Sequence, residues 1–263
     1  MSRIETLFKE LRREGRKALI PFITAGDPTL ETTKALVKKI AESGADIIEL
    51  GVPFSDPLAD GPVIQRSALR SLSAGTTLKK ILNMVGEIRK EINTPIVLMS
   101  SYNPVFVYGL ERFCADASQA GVDGFIIPDL PPEEAVDLKA EADKRDIDTI
   151  FLLAPTTGEG RIKFISGQGR GFLYYVSLTG VTGSRTLAAK EVEERLAAIR
   201  KITGKPICVG FGISTPEQAK EIACFSDGVI VGAAIVRMVE ELGEGDALLE
   251  KVGDFVRSLK DAI

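Results

Sequence analysis

Hydrophobic positions along the chain fall into two alternating textures. Short runs in which nearly every residue is apolar recur at 18–24 (ALIPFIT), 46–51 (DIIELG), 95–101 (PIVLMSS), 124–128 (GFIIP), 148–153 (DTIFLL), 172–177 (FLYYVS), 206–210 (PICVG) and 227–232 (DGVIVG). Between them lie longer stretches of helical period, such as LETTKALVKKIAESG, whose Leu30, Thr33, Leu36, Val37 and Ile40 share one face. Strands that alternate with helices pair in parallel through right-handed crossovers, and a strand apolar throughout is covered on both faces. Eight such units over 263 residues predict the α/β class, as a (β/α)8 TIM barrel in a single domain spanning residues 1–263. An open doubly wound sheet is the alternative. An amphipathic segment at about residues 2–13 predicts an extra N-terminal helix covering the barrel's bottom, and the last helix is expected to end near Lys260. Gly44, Gly121 and Gly204 stand where helices give way to strands and are expected to adopt left-handed caps.

Composition narrows the chemistry. With 33 basic and 37 acidic side chains the formal charge is −4, which offers no nucleic-acid surface. The longest apolar stretch, around Val229 to Val236, is too short to span a bilayer, and the charged N-terminal segment lacks a signal-peptide core, so a cytoplasmic protein is expected. Cys114, Cys208 and Cys224 show no CxxC spacing and are read as free thiols. The chain has no histidine. That excludes Ser-His and Cys-His machinery and the usual zinc sites, so no metal is expected, and carboxylates, tyrosines and lysines remain for proton transfer.

Barrel active sites lie where strands end, so the residues just after each run carry the reading. The second run ends in Glu49, on the same side of its strand as Ile47. If it points into the barrel mouth, water and ligand can reach it, and apolar neighbours push its pKa upward; if not, it is an ion-paired structural residue. In the loop that follows, VPFSDPLADGP, Asp60 precedes Gly-Pro and is either a chemical group or the N-terminal residue of a helix. Glycines follow both the seventh and eighth runs (VGFGIS, VGAAIVR), with a short helix expected from Ala233. That pair of loops is where barrels bind phosphate through backbone N–H groups, though each loop alone reads equally as a turn. The segment SLTGVTGSRTLAAK has the composition of a lid or of a plain surface loop. No strand end offers an apolar-set lysine, which disfavours Schiff-base chemistry.

The segments PFITAGDP (21–28), ELGVPFSDPLADGPVIQ (49–65), YNP (102–104), PDLP (128–131), TGVTG (179–183) and GFGIS (210–214) resemble, in order, the signature segments of the tryptophan synthase α subunit family. The resemblance implies a barrel lyase that cleaves indole-3-glycerol phosphate to indole and glyceraldehyde 3-phosphate. It implies Glu49 as proton shuttle and Asp60 as hydrogen-bond partner of the indole N–H. It also places Phe22, Tyr174, Thr182 and Phe211 at the substrate, with Tyr175 as the outward neighbour of Tyr174. Gly183, Gly212, Gly232 and Ala233 fall at the phosphate; many relatives carry Ser at the last position, so one hydroxyl contact is missing here. Asp56, Pro57, Asn103 and Pro104 are implied to face a β subunit in an α2β2 heterotetramer. That partner holds pyridoxal phosphate, and this chain holds no cofactor. A stand-alone lyase and a catalytically idle, partner-activating subunit are the alternatives. Retention of both Glu49 and Asp60 speaks against the last.

Overall fold

The computed structural model describes residues 1–58, 60–176, 185–210 and 212–263, the backbone alone at 185–188. Nine strands are found among these residues: β1 (Ala18–Thr24), β2 (Ile48–Gly51), β3 (Ile96–Met99), β4 (Gly124–Ile126), β5 (Asp148–Ile150), β6 (Leu152–Leu153), β7 (Leu173–Val176), β8 (Ile207–Gly210) and β9 (Gly228–Val231). All pair in parallel, in the order β5-β4-β3-β2-β1-β9-β8-β7-β6. The two ends of this order, β5 and β6, are separated only by Phe151, whose carbonyl accepts the Tyr174 N–H at 3.1 Å. One run of chain therefore pairs with β4 on one side and β7 on the other. The sheet curls into a nearly closed barrel, not an open sheet, and the expected eight strands become nine because the fifth run is split at Phe151.

The helices are α1 (Arg3–Glu14), α2 (Leu30–Glu42), α3 (Pro62–Ser73), α4 (Leu78–Ile88), α5 (Tyr102–Tyr108), α6 (Leu110–Ala120), α7 (Val136–Asp143), α8 (Glu159–Gln168), α9 (Arg185–Arg200), α10 (Pro216–Ala223), α11 (Ala233–Leu242) and α12 (Asp246–Ala262). Alternation along the strands divides the apolar side chains into two layers. Leu19, Ile23, Ile48, Leu50, Leu98, Tyr175 and Val229 pack outward against the helices. Ala18, Ile20, Ile47, Val97, Ile126, Phe172, Tyr174, Cys208 and Ile230 fill the interior, which α1 plugs from below with Ile4, Phe8 and Leu11. α1 is set by a capping box in which the Ser2 hydroxyl accepts the Glu5 N–H and the Glu5 carboxylate accepts the Ser2 N–H. On α2 the expected face is buried at Thr33, Leu36, Val37 and Ile40, while Leu30 is only partly covered. Gly44 and Gly121 take the left-handed conformation; Gly204 does not, contrary to expectation.

The barrel's lower rim is pinned by aspartates placed where strands start. Asp46 accepts the Leu19 N–H at 2.7 Å and Lys260 Nζ at 2.7 Å; Asp227 accepts the Ile207 N–H at 2.8 Å and pairs with Arg200 at 2.9 Å. Asp123 does the same for Ile96 at 2.8 Å, while Arg89 and Arg3 grip its two oxygens at 2.8 and 3.0 Å. Each carboxylate thus fixes the start of a neighbouring strand, and through it the register of the barrel. Removing one strands buried donors. Asp123→Ala is expected to cost about 3 kcal/mol of stability, read as a lower urea midpoint at unchanged slope.

Candidate functional site

The upper rim is built differently: loops there leave a cavity of about 180 Å³ between the ends of β1–β4 and α3. Phe22 and Thr24 enter it from β1, Gly51 to Phe54 from the end of β2, and Pro57, Leu58 and Asp60 from the loop that follows. Ile64 and Ala68 of α3 cover one side; Met99 to Ser101 and Pro128–Asp129 form the other. No site role for the wall at 99–101 and 128–129 is read from the sequence, although PDLP (128–131) is one of the family-like segments and both stretches stand at the ends of the third and fourth apolar runs. Asp129 has a local task, accepting the Tyr102 N–H at 2.8 Å where α5 begins.

Glu49 points inward. It pairs in register with Phe22 on one side and Val97 on the other, two residues beyond the interior Ile47. The expectation that solvent reaches it is not met: Glu49 is 1% exposed and lies one step below the cavity, whose walls include Phe22 and Gly51. Two glycines let aromatic rings close over this depth. A Cβ on Gly51 would sit 2.5 Å from the Phe22 ring, and one on Gly210 would sit 2.5 Å from the Tyr174 hydroxyl. Larger residues at either position would drive the rings out of the barrel mouth.

Neither carboxyl oxygen of Glu49 has a hydrogen-bond partner among the described residues. The ion-paired structural alternative is therefore set aside. Burial pushes the Glu49 pKa from 4.5 up to about 8, and the negative charge of Asp60 adds to the rise. An unpartnered buried carboxyl is tolerated in its neutral form, so Glu49 carries its proton at neutral pH. Asp60 is also shifted upward by burial, though it is only partly enclosed. It does not cap a helix: Gly61 occupies the N-cap of α3 with Pro62 in the first turn, and only the Asp60 backbone carbonyl is engaged, by Gln65 Nε2 at 2.8 Å. Its carboxylate has no hydrogen bond among the described residues and faces the cavity.

Tyr174 points into the interior and Tyr175 outward, as expected. Burial raises the Tyr174 phenol well above its ordinary range, with the nearby Glu49 charge acting in the same direction. It is a neutral neighbour of Glu49, not a second base. Phe22 lines the cavity. Thr182, Gly183 and Phe211 fall outside the described residues.

The far side of Phe22 meets the start of α11. A Cβ on Gly232 would come within 3.2 Å of the ring, and Gly232 is the N-cap of a ten-residue helix with no side-chain cap. Its first N–H groups and the positive end of the helix dipole are therefore available to an anion. Gly212 has φ +81°, in the loop after β8. Asp56, Asn103 and the strongly exposed Leu58, Phe106 and Val107 lie on the loops and helix that follow β2 and β3. Asp56 accepts a hydrogen bond from the Ser55 hydroxyl at 2.5 Å. Cys114 and Cys208 are buried and free, and Cys224 is exposed and free. Among the described residues no group of acidic, cysteine or histidine side chains could hold a metal ion, and no helix is long and apolar enough to cross a membrane.

Residues 8–263 match the family model described as "Tryptophan synthase alpha chain". The tryptophan synthase alpha chain of Geobacter sulfurreducens is 57% identical over 263 residues, covering 100% of this chain and 99% of that protein. That of a Thermoanaerobacter species is 48% identical with full coverage of both. Among solved structures, the tryptophan synthase subunit alpha of Legionella pneumophila superposes with a TM-score of 0.92 at 40% identity, over 100% of this chain and 98% of that one. A chain of the aminoacrylate-bound tryptophan synthase of M. tuberculosis gives 0.89 at 32% identity, over 100% and 99%.

Proposed function

Since the chain belongs to the tryptophan synthase α chain family, we propose that Glu49 and Asp60 divide between them the proton work of its reaction. That reaction is the cleavage of indole-3-glycerol phosphate to indole and glyceraldehyde 3-phosphate, and the chain is a lyase of tryptophan biosynthesis. The observation that carries the division of roles is the pair of environments. Glu49 is deep, unpartnered and protonated at neutral pH; Asp60 is shallower, and its charge helps keep that proton on Glu49.

Direct rupture of the C–C bond would expel an indole carbanion, so the ring carbon must first be protonated. Glu49 gives its proton to that carbon, and the positive charge that develops on the ring is met by Asp60, hydrogen-bonded to the indole N–H. Glu49, now a carboxylate in apolar surroundings, takes the proton of the adjacent glycerol hydroxyl. As the bond breaks, its electrons return to the ring, the hydroxyl carbon becomes the aldehyde, and Glu49 ends protonated as it began. Phe22 and Tyr174 flank the indole, and the family resemblance gives Thr182 and Phe211 substrate-binding roles as well. The backbone N–H groups at Gly232 and Ala233, with Gly212 and Gly183, receive the phosphate.

Two carboxyls fill both proton roles, so the reaction calls on no cofactor held by this chain, which we place in the cytoplasm as one barrel domain. On the same reading the surface formed by the exposed Asp56 and Asn103 and the half-buried Pro57 and Pro104, with Leu58 and Phe106 beside it, receives a β subunit in an α2β2 assembly, and pyridoxal phosphate belongs to that partner. Burial of exposed apolar side chains of this size is what such a contact requires. The test is indole release from indole-3-glycerol phosphate as a function of pH. Because the reaction starts from protonated Glu49, kcat/KM is expected to be flat through neutrality and to fall about tenfold per pH unit above about 8. Activity that rises through that range would assign the acid elsewhere.

A further inference from the structure

The Asp60 carboxylate has no hydrogen bond of its own among the described residues, so its position is inherited from α3, which begins two residues later. α3 is in turn held by Arg70. The Arg70 Nε and Nη2 lie 2.8 Å from the two carboxylate oxygens of Asp27, and Nη1 lies 2.9 Å from Glu240 Oε1. Asp27 follows β1 and is 2% exposed; Glu240 is on α11, the helix whose N-terminus adjoins Phe22. One turn earlier, Arg66 grips Glu240 through both oxygens at 2.6 and 2.8 Å. Shorter ties complete the seat: the Ser71 hydroxyl donates to the Ala25 carbonyl at 2.6 Å, and the Thr24 and Ser67 hydroxyls lie 2.6 Å apart.

We infer that Arg70 is a positioning residue for the lyase reaction: by bridging Asp27 to Glu240 it holds α3 in register with both β1 and α11, and so fixes the Asp60 carboxylate, at the indole end of the site, relative to the start of α11 that receives the phosphate. Only an arginine does this. Its planar fork serves Asp27 with two parallel bonds and has a further N–H for Glu240, whereas a lysine reaches one carboxylate as a point charge. The geometry matters because an acceptor displaced by about 1 Å from a developing charge loses most of its effect, on the order of 10²-fold in rate. The inference rests on the reading of Asp60 given above.

The experiment is a mutant cycle on the full chain. Indole release is followed in single turnover with enzyme in excess, so that slow variants remain readable. Arg70→Lys is expected to lower the single-turnover rate at saturating enzyme by roughly tenfold or more while the half-saturating enzyme concentration stays within about threefold, because the loss arises in the transition state. In the Asp60→Ala background the same change is expected to alter the rate by less than about twofold, since Arg70 acts through Asp60. A wild-type rate for Arg70→Lys, or losses that multiply in the double variant, overturns the inference. If Asp60→Ala itself keeps the wild-type rate, the reading of Asp60 fails and this inference falls with it; if Asp60→Ala is slow and the cycle still multiplies, only Arg70 is refuted. Should Arg70→Lys not fold, Glu240→Gln leaves the buried Asp27–Arg70 pair intact and is taken through the same cycle, with the same two outcomes deciding.

Discussion

Glu49→Gln is expected to lower indole release by about a thousandfold and, at the same time, to make the protein more stable. The amide has the carboxyl's shape but cannot give up and retake a proton, so the chemical step is lost while substrate affinity changes little. The gain in stability follows from the same burial. The folded-state pKa of about 8 lies above the ordinary 4.5. Below pH 4.5 the group is protonated in both folded and unfolded chains and makes no difference. Between 4.5 and about 8 the unfolded chain releases a proton that the folded chain retains, so stability is lost progressively as pH rises, and above 8 the loss is complete. Glutamine escapes that loss. The advantage of the variant in unfolding free energy, read from urea melts, is therefore expected to be small at pH 5 and to grow to a few kcal/mol at pH 8. An advantage constant with pH would mean that Glu49 does not titrate in this window.

Asp60→Ala has the second largest expected effect. A preorganised acceptor aimed at a developing charge contributes on the order of 10²–10³ in kcat, and its loss should appear in kcat more than in KM. There is a second signature. The charge of Asp60 is one of the two causes of the high Glu49 pKa, so its removal lets Glu49 ionise at lower pH. The alkaline fall in kcat/KM is expected to move to lower pH in Asp60→Ala. A variant with a slow rate but an unmoved alkaline limb would show that the two carboxyls do not sense each other.

Much of the barrel was legible because its strands are buried on both faces and therefore appear as unbroken apolar runs. The split at Phe151 was not, since nothing in DTIFLL interrupts the apolar pattern; the break reflects how one run must pair with β4 on one side and β7 on the other. Asp46, Asp123 and Asp227 stood in plain view directly before their runs, but a single aspartate at a helix–strand junction also reads as a turn. Its role as a clamp depends on a neighbouring strand's N–H that sequence does not place nearby.

For the site, alternation put Glu49 on the same side of β2 as Ile47 but told neither whether that side faces the barrel interior nor how deep the carboxyl lies. Depth depends on the rings of Phe22 and Tyr174 and on the glycines at 51 and 210 that let those rings close in. The Arg70 seat was likewise invisible: Asp27, Arg70 and Glu240 are far apart in sequence, and each alone is an ordinary charged residue at a helix or loop. Asp60 was readable as a candidate from its loop. That it is no helix cap required the structure to put Gly61 at that position.

On this account Glu49 is a neutral acid at physiological pH because the fold buries it without a partner among the described residues. Its carboxyl can be titrated directly, by 13C NMR of glutamate-labelled protein with Glu49→Gln supplying the assignment. A carboxyl resonance that is absent in the variant and moves with a midpoint near pH 8 is the expected result. A midpoint near the ordinary 4.5 would contradict it, leaving Glu49 an ionised bystander and the proton for the ring carbon without a source.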